Sequence, residues 1–250
     1  MHRFFLPSDC WAPGDEIYFP QDVTRQMLRV LRLNRGQKVI VLDDGGSEYV
    51  VELTSLSPRE TVGKIVETRP AGGEPNCKLT LYLCLCQREK FEWMLQKCTE
   101  IGAVAFVPMI SERSLVQDDA LVEKKYDRWR KIIKEAAEQC GRGQIPTLTA
   151  PMHFKQAVQA TVQAGCAALI PWEGEHTTTL TEAMETGDFI NGERRISVFI
   201  GPEGGFSVKE IKAASTAGIT PITLGPRILR METAAVVTAT LILHELGDLQ

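Results

Sequence analysis

From residue 79 onward, short apolar runs alternate with helical patterns. The runs with the length and character of single β-strands are 79–85, 103–109, 166–172, 196–201 and 221–225. The helical patterns cover 88–101, 124–140, 153–164, 207–217 and 232–247. Strands that are apolar throughout are typical of a parallel sheet covered by helices on both faces. The pattern predicts an α/β domain, and ligands of such domains bind beyond the carboxyl ends of the strands.

The first seventy residues have a different rhythm. Strand-like runs at 38–44, 49–56 and 62–68 are separated by the turn sequences DGGS and SPRE, which predicts a small antiparallel sheet or barrel. RPAGGEPN at 69–76 contains two prolines and two glycines and is the predicted linker. We therefore expect two domains, over residues 1–72 and 73–250.

Composition excludes several classes of protein. A net charge of −4 argues against a nonspecific nucleic-acid binder, which would be basic overall. The four histidines lie far apart and the seven cysteines form no C-x-x-C, so we expect no metal and a reduced cytoplasmic environment. No segment approaches the ~20 apolar residues of a membrane span, and the first residues lack the apolar run of a signal peptide.

One stretch is strongly basic. RQMLRVLRLNRGQK at 25–38 has five basic residues and no acidic one. If the stretch is helical at its start, Arg25, Arg29 and Arg32 lie on one face. That face is either a solvated surface or a contact for RNA phosphates, and the spacing leaves both open.

Two glycine-containing turns follow predicted strands. VFIGPEGGFS at 198–207 has three glycines that can adopt positive φ and let the backbone approach a ligand closely. Ser207 and Glu210 have the spacing of a capping box, which predicts a helix start. Glu203 lies in the loop before that cap, either as a functional carboxylate or as a solvated one. The turn matches neither the phosphate-loop motif nor the dinucleotide fingerprint.

The second turn, TLGPRILRMETAA at 223–235, places Ile228 and Leu229 between Arg227 and Arg230. The two apolar side chains either wall a flat aromatic ligand or fill the core beneath the sheet. The sequence alone leaves these alternatives open.

Five segments together carry a family resemblance. They are MHRFF, KFEWMLQKCTEIGA, EAAEQCGR, IGPEGGFS and LGPRILRMETAA, in this order from the first residues to the last helix. The combination resembles the bacterial 16S rRNA uridine-N3-methyltransferase family of the SPOUT superfamily. Ile101, Ala103 and Cys140 depart from the usual pattern of that family without touching a loop glycine.

The resemblance implies an N-terminal PUA-like RNA-binding β-barrel and a C-terminal α/β domain tied in a deep trefoil knot, a rare topology that periodicity does not predict. It also implies that loops at 172–174, 201–205 and 224–230 form the knot and hold S-adenosylmethionine in a bent conformation. The cofactor is a sulfonium cation without phosphates, which accounts for the missing phosphate motif.

The resemblance also implies which residues form the site, and it implies no metal ion there. The expected cofactor contacts are Trp172, Glu173, Ile200, Gly201, Glu203, Gly204, Gly205, Leu224, Gly225, Ile228, Leu229, Arg230 and Thr233. The catalytic candidates, unranked by sequence, are Arg230, Glu232 and Glu203. The candidate RNA contacts are Arg3, Arg25, Arg29, Arg32, Lys97, Arg113 and Arg142.

The implied reaction is methylation of N3 of a uridine in 16S rRNA within the small ribosomal subunit. N3 lies on the pairing edge, so the uridine must be unpaired or flipped into the site. The alternative is a noncatalytic RNA-binding protein on a SPOUT scaffold, which affinity for S-adenosylmethionine would separate from the enzyme.

The final helix predicts a homodimer. Between Thr233 and Leu243 it has no charged residue and is apolar all round, so it must be buried on more than one side. Its small residues Ala234, Ala235 and Ala239 permit close approach. A helix internal to a monomer is the competing interpretation, and the resemblance favours the dimer.

Overall fold

The computed structural model describes residues 1–115, 119–186 and 194–249, without the side chains of 119–123 and 186. The chain divides into two compact units. The first comprises Met1–Glu74 with Lys134–Ile145, and the second comprises Pro75–Ile133 with Pro146–Gln250. Nothing in the linear sequence pattern indicates that residues 134–145 group with the N-terminal segment.

The first unit contains a six-stranded, mainly antiparallel sheet. Its strands are β1 (Arg3–Phe5), β2 (Trp11–Ala12), β3 (Glu16–Tyr18), β4 (Lys38–Leu42), β5 (Ser47–Leu56) and β6 (Thr61–Pro70). Their spatial order is β1-β4-β5-β6-β3-β2, and only β1 and β4 pair in parallel. Strands β4, β5 and β6 correspond to the runs predicted at 38–44, 49–56 and 62–68, whereas β1, β2 and β3 were not predicted because they are too short to show a pattern.

One helix, α1 (Gln21–Arg29), closes the core of this sheet with Val23 and Met27. Arg25 and Arg29 are exposed on it. The predicted continuation of the row to Arg32 is wrong, because the helix ends at Arg29 and Arg32 has a left-handed backbone with φ of 50°.

The second unit is built on a parallel sheet, as predicted. The described strands are β7 (Lys78–Cys84), β8 (Ala105–Ile110), β9 (Thr147–Leu148), β10 (Met152–His153), β11 (Ala167–Pro171), β12 (Arg195–Ile200) and β13 (Thr220–Ile222). Their order is β10-β8-β7-β12-β11-β13, with β9 beside β8, and every observed pairing is parallel. The carboxyl ends of β12, β11 and β13 therefore lie side by side.

Helices connect these strands. They are α2 (Arg88–Ile101), α3 (Asp119–Cys140), α4 (Phe154–Gln163), α5 (Leu180–Thr186), α6 (Val208–Thr216) and α7 (Met231–Glu245). All except α5 fall on predicted helical patterns. Among the described residues, no helix has the length and apolar character needed to cross a membrane.

The core of the second unit lies on both faces of its central strands. Leu79, Leu81 and Leu83 of β7 are completely buried, and the ring of Tyr82 stacks on Phe199 of β12 with centroids 4.4 Å apart. Side chains on both faces of these strands are buried, which is why the strands are mostly apolar.

Helix α7 packs against α2, β7 and β12. Ala235 and Ala239 are completely buried within their own unit. The prediction that they provide close approach to a partner subunit is therefore wrong for these two residues. The side of α7 that remains open carries Leu241, which is 39% exposed.

Candidate functional site

A cavity of about 700 Å³ lies at the carboxyl ends of β11, β12 and β13. It is walled by residues of three segments, 171–173 with 175–176, 200–206 and 223–231, together with Lys90, Glu232 and Ala234. The volume is in the range of pockets that hold small molecules. Parallel pairing brings these loops together, because neighbouring parallel strands end at the same edge of a sheet.

The glycine loop, residues 201–207, follows β12. Gly205 has a φ of 66°, a conformation that L side chains rarely adopt, and its N–H donates to Pro202 O at 2.9 Å. A Cβ on Gly201 would lie 3.1 Å from the Phe206 ring. The positive φ therefore favours glycine at position 205, and a side chain at position 201 would require the Phe206 ring to move.

The predicted capping box is confirmed. Ser207 Oγ accepts from the N–H of Glu210 at 3.3 Å, and Glu210 Oε2 accepts from the N–H of Ser207 at 2.9 Å. These bonds satisfy donors at the start of α6 and fix the exit of the glycine loop.

The loop after β13, residues 223–230, carries the second predicted turn. Gly225 has a φ of 101°, and its N–H donates to Thr223 Oγ1 at 3.2 Å. Ile228 is 87% exposed, so the alternative that it fills the core is wrong. Leu229 is half-buried and also lines the cavity. An exposed isoleucine at a cavity mouth is the arrangement expected of a wall for an apolar part of a ligand.

The loop after β11 is organised around Glu175, which sequence reasoning missed. Its Oε1 accepts from the N–H groups of His176, Thr177 and Thr178 and from the Thr177 hydroxyl, at 2.6–3.1 Å. The bond from the Thr177 side chain, followed by those from the backbone, lowers the pKa of Glu175 to about 2. The carboxylate thus keeps its charge and holds the loop in place. The signal available in the sequence was E-x-T-T, a carboxylate two residues before a pair of threonines.

Glu173 and Glu203 contribute carboxylates from two loops to the lining of the cavity. A Cβ on Gly205 would lie 2.4 Å from Oε1 of Glu173, so that carboxylate lies directly against the glycine. Glu203, in the glycine loop, forms an ion pair with Lys90 of α2 at 3.4 Å. Lys90 was not among the predicted site residues, because 113 positions separate it from its partner along the chain.

Glu232 in the first turn of α7 has a different environment. It lines the cavity, and its Oε2 is buried with no hydrogen-bond partner within the described part of the chain. A buried carboxylate oxygen without a donor costs folding free energy, so such an atom is expected where a ligand supplies the donor. Arg230, one residue before α7, is exposed and also lines the cavity.

The structure places nearly all expected cofactor contacts in this cavity. Trp172, Glu173, Ile200, Gly201, Glu203, Gly204, Gly205, Leu224, Gly225, Ile228, Leu229 and Arg230 line it. Thr233 does not, because it is exposed on the outer side of α7. Within the described residues, no His, Cys, Asp or Glu side chains form a group of three or more able to hold a metal ion.

The basic residues proposed to contact RNA have dissimilar environments. Arg3 donates to Glu48 at 2.6 Å, and Glu48 is itself buried. Burial alone would raise the pKa of Glu48, but bonds from Arg69 and Arg3 outweigh it and lower the pKa. Lys97 pairs with Glu100 at 2.9 Å on α2.

The predicted RNA contact of Arg142 is not supported by its environment. Only 3% of Arg142 is exposed, and its guanidinium donates to both oxygens of Glu74, at 3.2 and 2.6 Å. Its charge is used inside the first unit, so this placement does not suit the predicted phosphate contact. Arg113 is exposed, but its Nη1 donates to Gly204 O at 2.9 Å in the glycine loop.

The parallel sheet and its glycine-lined cavity agree with the comparison to known families. Residues 73–243 match the RNA methyltransferase domain model, so the chain belongs to the RNA methyltransferase domain family. It is 35% identical over 212 residues to ribosomal RNA small subunit methyltransferase E from Synechocystis sp.. The matched region covers 84% of this chain and 66% of that protein. The chain is 33% identical over 224 residues to the protein of the same name from Bacillus subtilis, covering 88% and 84%.

Solved structures show the same likeness. The crystal structure of a ribosomal RNA small subunit methyltransferase E from Neisseria gonorrhoeae bound to S-adenosylmethionine has a TM-score of 0.86 and 28% identity, and covers 98% of both chains. A methyltransferase from Legionella pneumophila, in complex with the same cofactor, has a TM-score of 0.84 and 28% identity over 97% of both chains.

Proposed function

We propose that the chain uses S-adenosylmethionine to methylate N3 of a uridine in 16S rRNA of the small ribosomal subunit. Its family makes it an RNA methyltransferase, and its relatives carry the name of the small-subunit rRNA enzyme. The observation that carries the proposal is the glycine-lined cavity at the ends of β11, β12 and β13, in a fold that superposes on a chain bound to this cofactor.

The residues present fit that cofactor. Exposed Ile228 and half-buried Leu229 offer apolar surface for an adenine ring. The carboxylates of Glu173 and Glu203 suit a ligand that carries a sulfonium and an ammonium group. Gly201 and Gly205 line the cavity without side chains, so the loop backbone is open to the ligand there. When bound, S-adenosylmethionine supplies the methyl group.

We assign Glu232 as the base that accepts the N3 proton of uridine. An imide nitrogen must lose its proton before or during attack, and a positioned carboxylate in hydrogen-bond reach can accept it. Oε2 of Glu232 is the buried acceptor in this cavity with no donor of its own. Glu203 is less suitable because Lys90 already pairs with it.

Arg230 has the complementary role. Loss of the N3 proton leaves negative charge on the uracil ring, and a cation beside the cavity stabilises that charge as it develops. Arg230 is exposed at the cavity and lies two residues before Glu232. The pair thus supplies an acceptor for the proton and a counter-charge for the anion.

The assignment is tested with Glu232→Gln, using labelled S-adenosylmethionine and small subunits that lack the modification. Removing a general base lowers kcat by about 10²- to 10⁴-fold, while cofactor affinity measured by calorimetry stays at the wild-type value. Glu245→Gln, at the exposed far end of the same helix, is the matched control and keeps full activity. Wild-type turnover by Glu232→Gln refutes the role of Glu232 as the base.

The finer architecture is also proposed. The six-stranded sheet of the first unit is consistent with a PUA-like RNA-binding barrel over the predicted residues 1–72, and the resemblance supports a trefoil knot within 73–250. Exposed Arg25, Arg29 and Arg32 supply phosphate contacts in the first unit. Because the small ribosomal subunit is cytoplasmic, we place the enzyme in the cytoplasm.

We further propose a homodimer that uses the open side of α7. Val237 is half-buried and Leu241 exposed on a helix that has no charged residue from Thr233 to Leu243. In a symmetric pair this surface meets its own copy.

A further inference from the structure

The segment after β8 has no role in the function described above, yet three hydrogen bonds join it to the glycine loop and the capping box that follows. Arg113 Nη1 donates to Gly204 O at 2.9 Å. Ser207 Oγ donates to Glu112 Oε2 at 2.8 Å, and the N–H of Glu112 donates to Glu210 Oε1 at 2.9 Å. One neighbouring turn therefore binds the Gly204 carbonyl and both residues of the capping box, Ser207 and Glu210.

This turn is itself fixed. The N–H of Ser111 donates to Ser114 Oγ at 3.0 Å, the N–H of Ser114 donates to Ser111 O at 3.2 Å, and both serines are buried. Arg113 lies at the exposed tip between these anchors. A donor mounted on a rigid turn fixes its acceptor at less entropic cost than a donor on a free side chain.

The side-chain stem of Arg113 also passes over Gly204. A Cβ on that glycine would lie 3.4 Å from Cβ and 3.6 Å from Cδ of Arg113. Arg113 thus combines an apolar contact on one side of the loop with a charge-assisted hydrogen bond to its carbonyl. Such bonds are stronger than neutral ones.

We infer that Arg113 is a positioning residue that holds the glycine loop in its cofactor-binding shape. The inference rests on the proposed cofactor site, and it replaces the earlier expectation that Arg113 serves RNA phosphates. A loop with three glycines in five residues loses much backbone freedom on ordering. Because Arg113 fixes the Gly204 carbonyl before the cofactor binds, less backbone entropy is lost on binding.

The test compares Arg113→Met with Arg113→Lys by calorimetry with S-adenosylmethionine in the absence of RNA. Methionine keeps the stem over Gly204 but has no donor, and we expect about tenfold weaker cofactor binding. Lysine retains a charged donor and restores part of that loss. Lys212→Met, at an exposed basic position on α6, is the matched control and binds the cofactor as the wild type does.

Steady-state kinetics separate positioning from general damage. Arg113→Met raises KM for the cofactor by about the same tenfold factor, whereas kcat at saturating cofactor stays within about twofold of wild type. Wild-type cofactor affinity in Arg113→Met overturns the inference, as does loss of RNA binding with unchanged cofactor affinity. A wild-type protein that fails to bind S-adenosylmethionine refutes the proposed function instead, so the two failures are distinguishable.

Discussion

Gly205→Ala is the substitution whose effect follows most directly from the geometry of the glycine loop. Gly205 has a φ of 66°, and a residue with a Cβ costs about 1–2 kcal/mol in this conformation. The new Cβ would lie 2.4 Å from Oε1 of Glu173, the far end of a flexible side chain that can turn away. The backbone strain at position 205 is therefore the larger cost. If the loop relaxes to relieve that strain, it must return to the strained conformation when the cofactor binds.

A cost of about 1–2 kcal/mol corresponds to about 5- to 30-fold weaker binding of S-adenosylmethionine, measured by titration calorimetry. The matched control is Gly218→Ala, in the exposed turn before β13. Its φ is 87° and a Cβ there meets no atom within 4 Å, so the same strain is introduced outside the cavity. We expect that control to lower thermal stability and leave cofactor affinity unchanged. Equal, wild-type affinity in both variants refutes the assignment of the glycine loop to the cofactor.

Three further results are expected. The first concerns the exposed arginines of the first unit, Arg25, Arg29 and Arg32. Replacing them by alanine weakens binding to small subunits and reduces the slope of its salt dependence by about one per lost phosphate contact. Cofactor affinity stays unchanged. Leu241→Glu lowers the mass measured by light scattering from twice to once the 27.8 kDa of the chain. Glu92→Gln destabilises the protein by about 1 kcal/mol at pH 7, because its arginine partners are more than half exposed and solvent screens the pair. Hydrogen bonds from Arg128 and then Arg88 outweigh the effect of burial and lower the pKa of Glu92 to about 2. Since that folded pKa lies below the ordinary value of 4.5, the difference in melting temperature between wild type and variant shrinks as pH falls from about 4.5 towards 2.

The parallel sheet and the position of the cavity were predictable for a physical reason. Strands buried on both faces are mostly apolar, as β7 and β12 are, and such runs are visible without tertiary information. Parallel pairing then brings the loops after the strands to one edge. The capping box of Ser207 and Glu210 is local, so three-residue spacing was enough to find it.

The missed features depend on contacts between distant parts of the chain. Lys90 pairs with Glu203 and Arg113 with Gly204 across more than ninety positions, and no local pattern encodes such a pair. Arg142 had the sequence features of a helix-end cation open to phosphate, but Glu74 neutralises it inside the first unit. The unsatisfied oxygen of Glu232 is likewise visible only once its surroundings are known.

We propose that this cavity supports methylation of uridine N3 in small-subunit rRNA. The most direct measurement incubates the protein with S-adenosylmethionine and small subunits that lack the modification, then maps the product by primer extension. A methyl group on N3 blocks base pairing, so the account predicts a new reverse-transcription stop at one uridine, absent with Glu232→Gln. Cofactor binding without methyl transfer, or a methyl group on any atom other than uridine N3, would contradict it.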